Sequence, residues 1–181
     1  MIILNNRLPP LLTILGCILA FIGCSRNMVT SDLRQRLHSS DPTVRDNAVS
    51  DLGISERSDA VELLIVALDD PDYKVRSDAA EALGRRKARS ATDKLIHLLD
   101  DKNMVVRAYA AEALGNIGEE KATGPLIKLL GDTLAKKPKS DISTEGWGED
   151  ADADVSALIK ITGTNFAYDV VKWNVWEAEK K

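Results

Sequence analysis

Cysteine is nearly absent from this chain. The sequence has 181 residues but only two cysteines, Cys17 and Cys24, and both lie close to the amino terminus. The rest of the chain therefore cannot form a disulfide framework or a zinc site built on cysteine. We expect no metal site in the body of the protein.

Aromatic residues are also scarce. They make up 4% of the sequence, and all three tryptophans lie after residue 146. A core that lacks aromatic side chains must be built from Ala, Leu, Ile and Val, which suits closely packed helices. Because hydrophobic residues still make up 44% of the chain, a packed core is feasible.

The sequence lacks the motifs of common enzymes and the charge of nucleic-acid-binding proteins. Its formal net charge is −4, which argues against a surface built to bind phosphates. It has no glycine-rich phosphate loop, no Ser-His-Asp set and no evident pair of catalytic carboxylates. We therefore expect no enzyme activity, no cofactor, no small-molecule substrate and no nucleic-acid partner.

The amino-terminal segment has the pattern of an export signal. Arg7 is followed by an apolar run over residues 11–23, which is short for a membrane-spanning helix. Residues 21–24, Phe-Ile-Gly-Cys, resemble the lipobox of bacterial lipoproteins, which implies a signal peptide over residues 1–23 and a lipid on Cys24. Ser25 is typical of lipoproteins at the outer membrane rather than the inner one. The alternative is an uncleaved anchor helix; either way, we expect a body tethered outside the cytoplasm.

The strongest pattern is an internal repeat with a period of 31 residues. The same residues recur three times at one offset with no gaps, as in Val44-Arg45, Val75-Arg76 and Val106-Arg107, or Leu52-Gly53, Leu83-Gly84 and Leu114-Gly115. Such periods indicate helix pairs that stack on their neighbours, because a single pair cannot bury its own apolar face. We predict three repeats, over residues 41–70, 71–101 and 102–132.

Each repeat is predicted to contain two helices. Asp41, Asp70 and Asp101 are expected to begin the first helices as N-caps. The glycines Gly53, Gly84 and Gly115 are expected to end them. Residues 24–40 are interpreted as a tether and an N-terminal capping helix.

The carboxy-terminal part of the chain departs from the repeat. We predict a linker over residues 133–148 and a helical cap over residues 149–181. Phe166, Trp173 and Trp176 are expected to cover the open end of the last repeat. The alternative is that they form an aromatic patch that binds a partner.

Two sets of polar residues recur on the predicted helices. Arg45, Arg76 and Arg107 are interpreted as a structural ladder with the aspartates between repeats, and alternatively as an anion site. The second helices are expected to line the concave side of the molecule. The residues that differ between repeats there, and that form the candidate binding surface, are Glu62, Asp93, His97 and Lys128.

The repeats resemble HEAT-like repeats of the phycobilisome-lyase kind, and residues 105–118 match that pattern best. The resemblance implies an all-α, right-handed solenoid. Some HEAT-repeat enzymes, the deoxyhypusine hydroxylases, hold two irons through His-Glu pairs, but His38 is followed by Ser39 and His97 by Leu98. We therefore expect an envelope-anchored, non-catalytic module that binds or scaffolds another protein. The alternative is a HEAT-repeat enzyme of the phycobiliprotein-lyase or deoxyhypusine-hydroxylase type.

Overall fold

Helices make up the regular structure of the part of the chain that the computed structural model describes, residues 32–135 and 149–180. The signal segment, Cys24 and most of the predicted linker lie outside these residues. The helices are α1 (32–37), α2 (Pro42–Ile54), α3 (Ala60–Ala67), α4 (Tyr73–Arg85), α5 (Thr92–Leu98), α6 (Met104–Ile117), α7 (Thr123–Ala135), α8 (Glu149–Thr162) and α9 (Val170–Ala178).

The helices form two layers. The first helices of successive repeats, α2, α4, α6 and α8, pack side by side, and α3, α5 and α7 pack against them from the other side. The core between the layers consists mainly of fully buried leucines and alanines at equivalent positions, such as Leu52, Leu83 and Leu114. The prediction of an all-α solenoid of HEAT-like helix pairs is therefore confirmed for the described residues.

Helix α8 occupies the place of a fourth first helix. It packs on α6 and α7 as α6 packs on α4 and α5, and α9 then packs on α7. The close contact between Gly84 and Ala113 is repeated between Gly115 and Ala157 of α8. The predicted carboxy-terminal cap is thus built as a further helix pair.

The prediction that Gly53, Gly84 and Gly115 end the first helices is wrong. All three lie inside helices, which continue for one or two residues beyond them. A Cβ atom on Gly84 would lie 2.6 Å from the Cα of Ala113 in the neighbouring helix. At Gly84 and Gly115 two helix backbones approach each other closely, and a side chain would push them apart, whereas a Cβ on Gly53 would meet only side-chain atoms.

The predicted N-caps were displaced by two residues in the second and third repeats. Asp41 caps α2 as expected, but Asp72 and Asn103 cap α4 and α6, through hydrogen bonds of 2.8 Å from the N–H groups of Lys74 and Val105. Asp70 and Asp101, which were expected to be the caps, accept hydrogen bonds from the N–H groups of the true caps instead. Both polar side chains of the Asp70-Pro71-Asp72 and Asp101-Lys102-Asn103 turns therefore accept hydrogen bonds from the backbone.

Candidate functional site

The recurring arginines lie in the first turns of α2, α4 and α6, and the side chains of Arg45 and Arg76 reach the turns between repeats. Arg45 donates two hydrogen bonds to the carboxylate of Asp70, at 2.7 and 2.8 Å, and a third to the carbonyl oxygen of Ser39. Arg76 repeats the arrangement with Asp101, at 2.8 and 3.0 Å, and with the carbonyl oxygen of Asp70. Each of these two guanidinium groups therefore joins three segments of adjacent repeats.

These two ion pairs are buried. Arg45 and Arg76 are 8% and 6% exposed. Burial alone would raise the pKa of Asp101, but hydrogen bonds from Arg76 and from the N–H of Asn103 outweigh it and hold the pKa below its usual range. An arginine with its donors satisfied by protein oxygens is poorly placed to bind an external anion, so the geometry favours the structural interpretation.

Arg107, the third member of the predicted ladder, has a different environment. It is half-buried, and it donates a hydrogen bond of 3.0 Å to the carbonyl oxygen of Asp101. The carboxylate at the position equivalent to Asp70 and Asp101 is Asp132, and no ion pair joins it to Arg107. The ladder is therefore regular over two repeats and altered in the third.

The four residues of the candidate binding surface are all exposed on the second helices. Glu62 lies on α3, Asp93 and His97 lie on α5, and Lys128 lies on α7. His97 and Lys128 occupy equivalent positions in their repeats. The surface is therefore continuous from one repeat to the next.

Ion pairs between neighbouring repeats cross this surface. Lys94 of α5 contacts Asp69, with its ammonium nitrogen 2.6 Å from the carboxylate. Lys121 contacts Asp93 at 2.8 Å. Asp93 is thus already neutralised by the chain itself, which leaves Glu62, His97 and Lys128 as the predicted residues that are more available to a partner.

Within the described part of the chain, two grooves open between helices of the second layer. One, of about 360 Å³, lies between α1 and α3 and is lined by Val66, Ala67 and Asp69 among others. The other, of about 300 Å³, lies between α5 and α7 and includes Lys128. Val66 is 57% exposed, so apolar surface is accessible beside the first groove. Grooves with apolar floors and polar edges are typical of surfaces that bind protein segments.

The aromatic residues of the carboxy terminus pack on one another. Trp173 is fully buried, and its indole N–H donates a 2.9 Å hydrogen bond to the carbonyl oxygen of Ala167. Its ring meets those of Phe166 and Trp176 edge to face, with centroids 4.9 and 6.2 Å apart. A buried indole cannot contact a partner without unfolding, so the contacts of Trp173 favour the capping interpretation. Trp176 is half-buried under the ammonium group of Lys180.

One cluster was missed by sequence reasoning. Asp46 of α2 is buried and accepts a hydrogen bond from Lys74, and it faces Asp78 of α4. Burial and the neighbouring Asp46 raise the pKa of Asp78 to about 6. The signal available in the sequence was the departure from the repeat, because Asp46 and Asp78 have Ser77 and Tyr109 as their equivalents in the next repeats.

Within residues 32–135 and 149–180, no three His, Cys, Asp or Glu side chains are grouped so that they could hold a metal ion. None of the helices in that part of the chain has both the length and the apolar character needed to cross a bilayer.

Comparison with known proteins places this architecture. The family model for HEAT repeats matches residues 30–103 and, in a second register, residues 61–141. A chain in the solved complex of CpcE and CpcF of phycocyanin lyase from Nostoc sp. PCC7120 is similar, with a TM-score of 0.61 and 31% sequence identity. The match covers 72% of this chain and 52% of that one, so this chain spans about half the length of its structural relative. No curated protein matches the sequence.

Proposed function

This chain belongs to the HEAT-repeat family, and we propose that it works as a non-catalytic module that binds another protein through the exposed surface of its second helices. The observation that carries this proposal is the contrast between core and surface. Many positions that pack between the layers keep the same residue in each repeat, such as Leu52, Leu83 and Leu114, whereas Val66, His97 and Lys128 occupy one surface position with three different chemistries. The grooves between the second helices add concave, partly apolar surface beside these residues.

The solved relative supports a protein partner. Its structure is a complex of two proteins, CpcE and CpcF, rather than an isolated chain. Solenoids present long surfaces of this kind because each repeat adds one more strip of contact area. The partner that we propose here is a protein.

We propose further that the module is exported and tethered to the bacterial envelope, on the outer-membrane side, by a lipid on Cys24. The support is the apolar run of residues 11–23 followed by Gly23-Cys24-Ser25. Mass spectrometry of protein extracted from membranes should find an acylated Cys24 as the amino terminus. A chain that begins at an unmodified Met1 would contradict the lipid anchor, and Cys24→Ser should release the body from the membrane fraction.

Binding through the second helices can be tested by filling the surface with bulky side chains. The double variant His97→Trp with Lys128→Trp should lose co-purification of a stoichiometric partner from detergent-solubilised envelopes, because the added volume blocks contact whatever the partner's charge. The matched control is Lys87→Trp with Ser90→Trp, which changes the net charge equally at exposed sites in the α4–α5 turn. Unchanged thermal unfolding of both variants would show that the fold is intact. Loss of the partner in both variants, or in neither, would contradict the proposed surface.

A second candidate function is catalysis of the phycobiliprotein-lyase or deoxyhypusine-hydroxylase type. The observation that favours it is the likeness to a chain of a phycocyanin lyase complex at 31% identity. Two measurements separate it from the first proposal. Stoichiometric iron in the purified protein would favour a hydroxylase, and lyase activity towards phycocyanin, rather than binding alone, would favour a lyase; our proposal expects neither.

A further inference from the structure

Two carboxylates, at the ends of the second and third repeats, lack the ion pairs that their equivalents one repeat earlier form within the described residues. Asp69 is paired with Lys94, and Asp101 is paired with Arg76. One repeat later, the equivalent positions hold Asp100 and Asp132, and neither forms an ion pair with any residue that the structure describes. For Asp100 the sequence explains the loss, because the residue equivalent to Lys94 is Pro125.

Both carboxylates line the same groove, between α5 and α7. Ile96, Leu99 and Leu129 contribute its apolar walls, and the volume is about 300 Å³. Both Asp100 and Asp132 are exposed at its edge. Among the described residues that line the groove, Lys128 is the only cationic one; it lies one turn before Asp132 on α7 and forms no ion pair with that aspartate. The described lining therefore has two carboxylates and one ammonium group.

The α1–α3 groove provides an internal comparison. It too is lined by two aspartates, Asp69 and Asp70, but Lys94 and Arg45 neutralise them. Grooves of similar size in one molecule thus differ in whether the chain itself supplies the cations. This difference marks the α5–α7 groove as the one with charge left for a partner.

We propose that the α5–α7 groove binds a segment of the partner protein that carries a lysine or arginine beside an aliphatic side chain. The cation would lie between Asp100 and Asp132, in the role that Lys94 and Arg76 play in the earlier repeats. The aliphatic side chain would pack on Ile96 and Leu99. This inference rests on the proposed function and names the chemistry of the partner at the same surface.

The test is a selection of random peptides displayed on phage against the full-length protein in detergent. Enriched peptides should carry Lys or Arg next to Leu, Ile or Val. In fluorescence anisotropy, their dissociation constants should rise at least about tenfold in Asp100→Asn with Asp132→Asn, because the charge-assisted contacts are lost. Raising the salt concentration should weaken binding to the wild-type protein and have less effect on the variant.

The matched control is Glu112→Gln with Glu179→Gln. It removes two exposed carboxylates from other faces, on α6 and at the end of α9, and should leave peptide affinity unchanged. Enriched peptides without cations, equal affinity for both double variants, or no enrichment at all would overturn the inference. So would a dimer of this chain that dissociates in Asp100→Asn with Asp132→Asn, because the occupant would then be a second copy.

The test must also distinguish the partner from cations of the chain itself. Lys136, Lys137 and Lys139 follow α7, outside the described residues. If replacing them with serine strengthens peptide binding, the chain and not the partner supplies the cation, and the inference fails. A partner that is lost on His97→Trp with Lys128→Trp but kept on Asp100→Asn with Asp132→Asn would leave the proposed function standing and this inference refuted.

Discussion

Gly84 is the residue at which the packing of the first helices is most sensitive to a side chain. An added Cβ would meet the backbone of Ala113, which cannot move away without shifting α6. Sequence reasoning found the recurring glycine but assigned it to the end of a helix, because glycine is common at both kinds of position. Only the distance between neighbouring helices distinguishes the two roles.

We predict that Gly84→Ala destabilises the protein by about 1–3 kcal/mol, since the crowded backbones must separate. The control is Gly131→Ala in the interior of α7, where the nearest atom to an added Cβ is a Val170 methyl group at 3.6 Å. That change should stabilise the helix by about 0.5–1 kcal/mol. Urea unfolding measures both; equal effects of the two substitutions would contradict the assignment.

The carboxyl groups of Asp46 and Asp78 are the other residues whose role the sequence did not disclose. The Oδ1 atom of Asp46 is buried, and a proton on Asp78 provides the donor that it otherwise lacks. Lys74 holds the other oxygen of Asp46, and Glu81 lies near Asp78. We therefore expect Asp78, when protonated below a pH of about 6, to link α4 to α2 through Asp46.

This arrangement predicts an unusual pH dependence. Folding raises the pKa of Asp78 from 3.8 to about 6, so its contribution to stability is fully present below pH 3.8 and is lost as the pH rises through about 6. Thermal unfolding at pH 5 and pH 7.5 should show a gain for the wild-type protein at pH 5 that Asp78→Asn lacks. Glu112→Gln should keep the wild-type difference. The prediction is refuted if lowering the pH from 7.5 to 5 stabilises the wild-type protein no more than it stabilises Asp78→Asn.

The first helices end in three different ways although their sequences repeat. Helix α6 is followed by Gly118, which has a φ of 77°. The equivalent residue after α4 is Lys87, which has a φ of 51°. At the end of α2, Arg86 of the next repeat donates hydrogen bonds to carbonyl oxygens, the shortest being 2.6 Å to Ser55. Sequence periodicity could place these ends approximately but could not say which residue satisfies the last carbonyls.

Lys87 therefore occupies a backbone conformation that favours glycine. We predict that Lys87→Gly stabilises the protein by about 0.5–1 kcal/mol, and that Gly118→Ala destabilises it by about 1 kcal/mol. Thermal unfolding of the two variants provides the measurement. A loss of stability in Lys87→Gly would mean that the lysine side chain, rather than its backbone, determines the turn.

Helix α9 depends on Trp173 for its position on α7. We predict that Trp173→Ala costs about 3–5 kcal/mol, because a fully buried indole and its hydrogen bond are lost. Val175→Ala, at an exposed site on the same helix, should change stability by less than about 0.5 kcal/mol. If Trp173→Ala leaves stability unchanged and abolishes partner binding instead, the aromatic residues form a recognition patch.

The solenoid as a whole was predictable because the repeat is carried by buried residues. Leucine and alanine recur at a fixed offset of 31 residues, so each repeat presents the same apolar face. Each face needs the same kind of surface to pack against, and stacked helix pairs provide it. The fourth helix pair was not recognised as a repeat, since residues 136–148 interrupt the offset and α8 has Asp154 and Val155 in its core-facing positions. The choice among surface residues could not be made from sequence either, because exposed positions vary with or without a partner.

The most direct test of the central claim is site-specific photocrosslinking in intact cells. A photoreactive amino acid at position 97 or 128, on the second helices, should give one discrete adduct with another protein. The same group at position 112, on the first helix α6, should give none. Adducts from position 112 alone, or from none of the three positions, would contradict a binding surface formed by the second helices.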